Sequence, residues 1–260
     1  MTHILTSIDD GVGTITIDRR ERFNSLDAGT ARELRRAGLQ MARDASVRAV
    51  VLRGAGGVFC SGADLKDIRN APSRGDAFQE ILEYIHSTIS EIRRAPKPFL
   101  TAVDGMAAAG GFGLAMSCDL VIASDRAAFE WAYAKTGLTG AESSTFMLPR
   151  LIGLRRALEL LLLNPRLDAA RALEYGLINA AVPAAMFDAE VQRMARQLAA
   201  GPTEALGIAK ELLNQAAGMD RLDVHLDREL EQLARIANGA DFAEGIGAFF
   251  EKRAPRFGAV

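Results

Sequence analysis

The chain has 260 residues, enough for one sizeable domain or one domain with an appendage. Its 49% hydrophobic content suits a globular core, and a net charge of −2 without any Lys/Arg run disfavours nucleic acid as a partner. Cys60 and Cys118 fit no metal spacing, the three histidines are scattered, and no stretch is apolar and long enough to cross a bilayer. The segment MTHILTSIDD is charged early and lacks an apolar signal core, so the expectation is a soluble, metal-free protein of the cytoplasm.

In chain order, residues 4–8 and 12–18 alternate around Asp9-Asp10-Gly11 and predict a hairpin. A polar loop follows, and Asp27 reads as the N-cap of a helix with Leu34, Gly38 and Met41 on one face. Residues 48–53 read as a buried strand that runs into a glycine-bearing turn ending at Gly62-Ala63. Residues 67–75 read as a polar, mobile segment, and a helix is expected from about 76 to 93, stopped by Pro96 and Pro98. His86 lies off its main apolar stripe and reads as a satisfied or exposed side chain.

The stretch 104–123 organises the chain. An apolar strand, 99–103, leads into small residues and the pair Gly110-Gly111, then a helix start and a second strand, 120–123. Glycines at a helix start bare backbone N–H groups that have no intrahelical partner and suit an oxygen carrying negative charge. The dinucleotide and P-loop patterns are both incomplete here, which disfavours a phosphate. Further on, 127–133 reads as a strand, 137–144 as a loop, 146–163 as a helix broken near Gly153, 169–175 as a short helix and 177–182 as a last strand. Four helices complete the chain, at 184–199, 203–217, 221–237 and 241–253. The fold class is α/β with a helical tail.

Two glycine turns in this order, in Phe59-Cys-Ser-Gly-Ala-Asp-Leu65 and Asp104-Gly-Met-Ala-Ala-Ala-Gly-Gly111, resemble the crotonase (enoyl-CoA hydratase/isomerase) superfamily. Leu148-Pro-Arg-Leu-Ile-Gly-Leu-Arg-Arg-Ala157, Glu174-Tyr-Gly-Leu-Ile178 and 244–253 extend the likeness over nearly the whole chain. The resemblance implies a spiral of ββα units over 1–200, a helical oligomerisation region over 201–260, and homotrimers or hexamers. It implies a coenzyme A thioester as substrate, with no separate cofactor. The backbone N–H groups of Ala63 and Gly110 would form an oxyanion hole. Phe23, Ser25, Leu26, Asp64 and Leu65 would lie along the coenzyme A moiety, with Gly111 beside the hole. Lys252, or more weakly Lys210, would meet its phosphates, a role that competes with a plain solvated surface.

The resemblance also marks departures. The two glutamates of the usual hydratases fall on Gly113 and Tyr133, so neither carboxylate is present. Water addition needs such acid and base groups. Another branch places an aspartate at the position of Ala141, with Glu142 next to it here. Two roles stay open for Glu142: a general base that moves a proton between the α- and γ-carbons of an enoyl thioester, or a partner of the following helix N-terminus. Burial near Phe146 and Trp131 would raise its pKa. Trp131 and Tyr133 are candidates for an acyl pocket or for plain core. The expectation is double-bond isomerisation. The alternatives are a rearranged hydratase or hydrolase, or a weakly catalytic acyl-CoA-binding subunit.

Overall fold

The computed structural model describes residues 2–258. Strands β1 (Ile4–Asp9) and β2 (Val12–Ile17) form the expected hairpin, turning at Asp10 and Gly11, both at positive φ. Helix α1 (Ala28–Arg43) starts where Asp27 accepts the Thr30 N–H at 2.7 Å. Then come β3 (Ala49–Gly54), α2 (Leu65–Asn70) and α3 (Arg74–Arg94). The segment expected to be mobile is therefore helical over part of its length. Asp64 caps α2 through the Lys66 N–H, and Ile68 is buried.

The next elements are β4 (Phe99–Val103), β5 (Met106–Ala108), α4 (Gly110–Met116), β6 (Leu120–Ser124) and β7 (Ala128–Glu130). The strand expected over 127–133 ends at Glu130, because Ala132 turns to φ 60° and Tyr133–Thr136 form a 3-10 turn. Helix α5 (Ser144–Leu163) breaks at Gly153, whose φ is 77°. It leads to β8 (Leu167–Asp168), α6 (Ala169–Tyr175), β9 (Ala180–Val182), α7 (Phe187–Ala200), α8 (Thr203–Ala216), α9 (Leu222–Ala237) and α10 (Ala240–Glu251).

The strands sort into two sheets. The larger has the order β1-β2-β3-β4-β6-β9 and is parallel from β2 onward; the smaller has the order β5-β7-β8. Each of β4 and β6 sits in the large sheet and is followed at once by a short strand of the small one, which gives the spiral. The large sheet is covered on both faces. Val50 and Leu52 point into the core with α1 and α3, whereas Val51, Leu100 and Ile122 meet Phe187, Val191 and Ala195 of α7. That double burial explains why its strands read as continuous apolar runs.

The C-terminal helices share the main core. Leu226 and Leu233 of α9 and Phe242 of α10 join the same cluster as Phe78, Ile81 and Ile85 of α3. The Phe78 and Phe242 rings meet edge to face, 5.6 Å between centroids.

Candidate active site

The site grows from the two glycine turns. Residues 59–60 lie alongside the short strand β5: Phe59 N–H donates to Met106 O at 3.0 Å, and Ala108 N–H to Cys60 O at 3.0 Å. Gly111 packs so tightly on the Cys60 carbonyl that any side chain there would collide with backbone. Gly62, at φ 89°, brings its Cα so close that a Cβ would lie 2.9 Å from Gly110 N. The two turns thus converge. Leu26 pairs with Gly62 O and Asp64 N–H across Ala63, which leaves the Ala63 N–H outside that ladder. Gly110 opens α4, where the first N–H has no intrahelical acceptor. Neither N–H donates to a protein acceptor among the described residues.

Glu142 stands over this point. It is only 3% exposed, and a Cβ on Gly110 would come within 2.6 Å of its Oε1. Its other oxygen, Oε2, accepts the Tyr133 hydroxyl. Burial pushes the Glu142 carboxyl up to about 8, against the downward pull of the Tyr133 bond. The same burial, with the Glu142 charge beside it, holds the Tyr133 hydroxyl well above its ordinary value, so the phenol keeps its proton. Gly113, one turn further along α4, faces the Glu142 carbonyl; a side chain there would strike that backbone oxygen. The loop carrying Glu142 fills the space beside Gly113.

His86 is buried, unlike the solvent-facing alternative left open for it. Its Nε2 accepts the Glu142 N–H at 3.2 Å, which assigns the proton to Nδ1, and burial lowers its pKa to about 4. Glu229 of α9 holds the next turn of the loop through Ser143 and Thr145. Neither partner was legible as such in the sequence, because each reaches the loop from a distant helix.

A cavity of about 480 Å³ opens over these groups. Of the residues singled out by sequence, Phe23, Ser25, Ala63, Asp64, Leu65, Gly110, Tyr133 and Glu142 line it. Leu26 and Gly111 lie behind it as backbone supports. Trp131 and Ala141 are buried off the lining; Trp131 Nε1 donates to Ser144 Oγ at 3.2 Å, and its ring packs tilted against Tyr133, 5.0 Å between centroids. Lys252 ends α10 in a left-handed conformation at the exposed surface, outside the lining. Lys210 is half-buried elsewhere, 2.8 Å from Asp119 and bonded to the Ile92 and Lys97 carbonyls. The cations that do reach the lining are Arg22, Lys66 and Lys135. Glu130, a carboxylate not anticipated, lines the cavity in an ion pair with Lys135. Phe249, Phe250 and Leu233 complete the wall from α9 and α10.

Arg19 ties the mouth together. Its guanidinium lies 2.8 Å from Asp64 and 2.7 Å from Asp27 and donates to the Ser25 carbonyl. Asn24, at φ 53°, bonds the carbonyls of Ala55 and Val58 and so anchors the turn that presents Phe23. No group of three or more His, Cys, Asp or Glu side chains is placed to hold a metal ion, and no helix is long and apolar enough to cross a membrane, among the described residues.

The sequence and the fold both have counterparts among known proteins. Residues 7–259 match the family model described as Enoyl-CoA hydratase/isomerase. The chain is 37% identical, over 99% of its length and 98% of the relative's, to a 1,2-epoxyphenylacetyl-CoA isomerase of Escherichia coli (strain K12). It is 35% identical, over 96% of its length and 91% of the relative's, to 4-chlorobenzoyl coenzyme A dehalogenase-2 of an Arthrobacter species. A crystal structure of an enoyl-CoA hydratase from Mycobacterium avium subsp. paratuberculosis K-10 superposes with a TM-score of 0.90 at 33% identity, covering 98% of both chains. The chain therefore belongs to the enoyl-CoA hydratase/isomerase family, the crotonase superfamily.

Proposed function

We propose that this enzyme isomerises the double bond of an enoyl-CoA thioester, with Glu142 as the base and the Ala63 and Gly110 N–H groups as the oxyanion hole. The observation that carries this reading is the position of Glu142 Oε1 over Gly110, with Oε2 tied to Tyr133. One carboxylate oxygen is left for the substrate, beside a backbone donor that has no other acceptor. The thioester carbonyl would lie between the two N–H groups. Glu142 would take a proton from the α-carbon of a 3-enoyl thioester, giving a dienolate whose negative charge sits on the carbonyl oxygen. Returning the proton to the γ-carbon yields the 2-enoyl thioester. Fixed donors favour the dienolate over the neutral ground state, by about 3–4 kcal/mol for one donor in known cases.

The positions that the resemblance assigns to hydratase glutamates, Gly113 and Tyr133, carry no carboxylate. The loop of Glu142 leaves no room for a side chain at Gly113, which supports proton transfer by one carboxylate over water addition by two. A relative 31% identical over 98% of this chain is named a trans-2-decenoyl-[acyl-carrier-protein] isomerase, which supports the same reading. Aryl dehalogenation lacks its nucleophile, since Ala141 stands where the resemblance puts the aspartate. The coenzyme A moiety would lie at the mouth, along Phe23 and residues 63–65, with Arg22 and Lys66 near its phosphates. No separate cofactor is required for this chemistry. Exposed Leu206, Ile208, Leu212 and Leu213 on α8 support association of copies of the chain, as the homotrimer or hexamer that the resemblance implies, and the two free cysteines suit the reducing cytoplasm.

The test is turnover of 2-enoyl- and 3-enoyl-CoA thioesters in heavy water, resolved by mass, beside Glu142→Gln. A double-bond shift with deuterium uptake, absent from the variant, supports the proposal. A product heavier by one molecule of heavy water would establish hydration instead. Binding of both thioesters without turnover would favour an acyl-CoA-binding subunit.

A further inference from the structure

Glu142 and Ser143 are consecutive non-glycine residues at positive φ, 51° and 63°. Such conformations cost on the order of 1–3 kcal/mol each and persist where the surroundings over-determine them. The restraint here comes from outside the loop. Ser143 is the N-cap residue of α5, yet its side chain makes no capping bond. The cap is supplied by Glu229, buried on α9 and 86 residues away in sequence. Its Oε2 accepts the Ser143 N–H at 2.8 Å; its Oε1 accepts the Thr145 N–H at 3.0 Å and the Thr145 hydroxyl. One carboxylate thus satisfies both backbone donors that flank Ser144. On the opposite side His86 of α3 holds the Glu142 N–H, and Tyr133 holds the carboxylate itself.

We propose that Glu229 is the positioning residue of this active site: by capping α5 from α9 it holds the 142–145 segment reversed and aims Glu142 at the cavity. This rests on the reading of Glu142 as the base. A charged Glu229 accepts all three bonds. A protonated one must turn its O–H to an acceptor such as the Thr145 hydroxyl and accepts more weakly through that oxygen, so its hold on the loop weakens as Glu229 gains a proton. The titratable groups that feel its charge are Glu142 from the loop and Tyr133 from the 3-10 turn, and His225 of its own helix has its Nε2 3.7 Å from Oε1; His86 of α3 meets the same loop at the Glu142 N–H.

The experiment compares wild type, Glu142→Gln, Glu229→Gln and Thr145→Val, with a 3-enoyl-CoA thioester in heavy water as probe. Thr145→Val keeps the branched shape and removes one donor to Glu229. For Glu229→Gln, kcat should fall on the order of 100-fold, the cost of a misplacement of about 1 Å, with KM moving little. Its rate should also lose the part of the wild-type pH profile that reports Glu229, and the Ser143 and Thr145 amides should exchange hydrogen faster. Thr145→Val should lose rate in the same direction, and it decides the matter if Glu229→Gln does not fold. Wild-type kcat and pH profile in the folded Glu229 variant, or in Thr145→Val should it be the deciding variant, with Glu142→Gln inactive, would overturn the positioning role and leave the base intact. Full activity in Glu142→Gln would remove the base, and this inference with it.

Discussion

Glu142 combines two properties that oppose each other. Its burial makes it a better base near neutral pH, and the same burial makes its charge costly to the fold. Replacing it with Gln should lower isomerisation by about 10²–10⁴-fold, the usual contribution of general acid–base catalysis. Its folded pKa of about 8 lies above the ordinary 4.5. Below 4.5 the stabilisation from its bound proton is fully present; it is lost as pH rises through about 8. Glu229, raised to about 7 by burial, acts in the same direction over a lower window. Between about pH 4 and 6.5 the lowered pKa of His86 acts the opposite way, so melting temperature should fall from about pH 6.5 to about 8, while kcat/KM rises towards pH 8. In Glu142→Gln the melting temperature at pH 8 should exceed that of wild type, by about 2–4 °C per kcal/mol of relieved penalty. Differential scanning calorimetry across pH reads both slopes.

At the scale of elements, α4 and the mouth turn are fixed by close backbone approach and by one buried guanidinium. Gly110→Ala would push a methyl group towards Glu142 Oε1 and leave the surrounding backbone clear. It should fold and lose rate on the order of 10²-fold, which kcat with unchanged melting would show. Gly113→Ala would meet the Glu142 backbone carbonyl and should destabilise the enzyme as well as slow it, by about 1–3 kcal/mol as overpacked sites do. Arg19→Ala strands the buried carboxylate of Asp64 and should cost about 3–5 kcal/mol, measured by urea unfolding, together with weaker thioester binding. The glycines of α4 were legible because small residues at a helix start have a backbone reason to be there. The partnership of Arg19 with Asp64 was not legible, since 45 residues separate them and charge in a polar loop is usually solvated.

At the scale of the molecule, the C-terminal helices do more than extend a surface. They share the main core with α3, wall the cavity through Leu233, Phe249 and Phe250, and supply Glu229. The exposed leucines of α8 predict association through this region. Sedimentation equilibrium should give a trimer or hexamer, and Leu212→Glu with Leu213→Glu should shift it towards the monomer. The 201–260 boundary is what the resemblance implies, whereas the purely helical pattern already begins at 184; the main core includes residues from both sides of 201, because α9 lays an apolar stripe against α3.

What the sequence determined by itself was local or carried in contiguous motifs. The hairpin, the Asp27 cap, the break at Gly153, the run of apolar strands and the two glycine turns all follow from side-chain size, capping chemistry and burial of adjacent residues. The strands β5 and β8, with three and two residues, are too short to show a period. Only the tertiary structure decided which way the 142 loop turns, that Gly113 and Tyr133 both border Glu142, and that His86 and Glu229 hold it from two helices. Those contacts join residues between 9 and 86 positions apart. They exist only once hydrophobic burial has packed α3, α4, α5 and α9 together, because a lone carboxylate and two left-handed residues gain nothing from this geometry in an open chain.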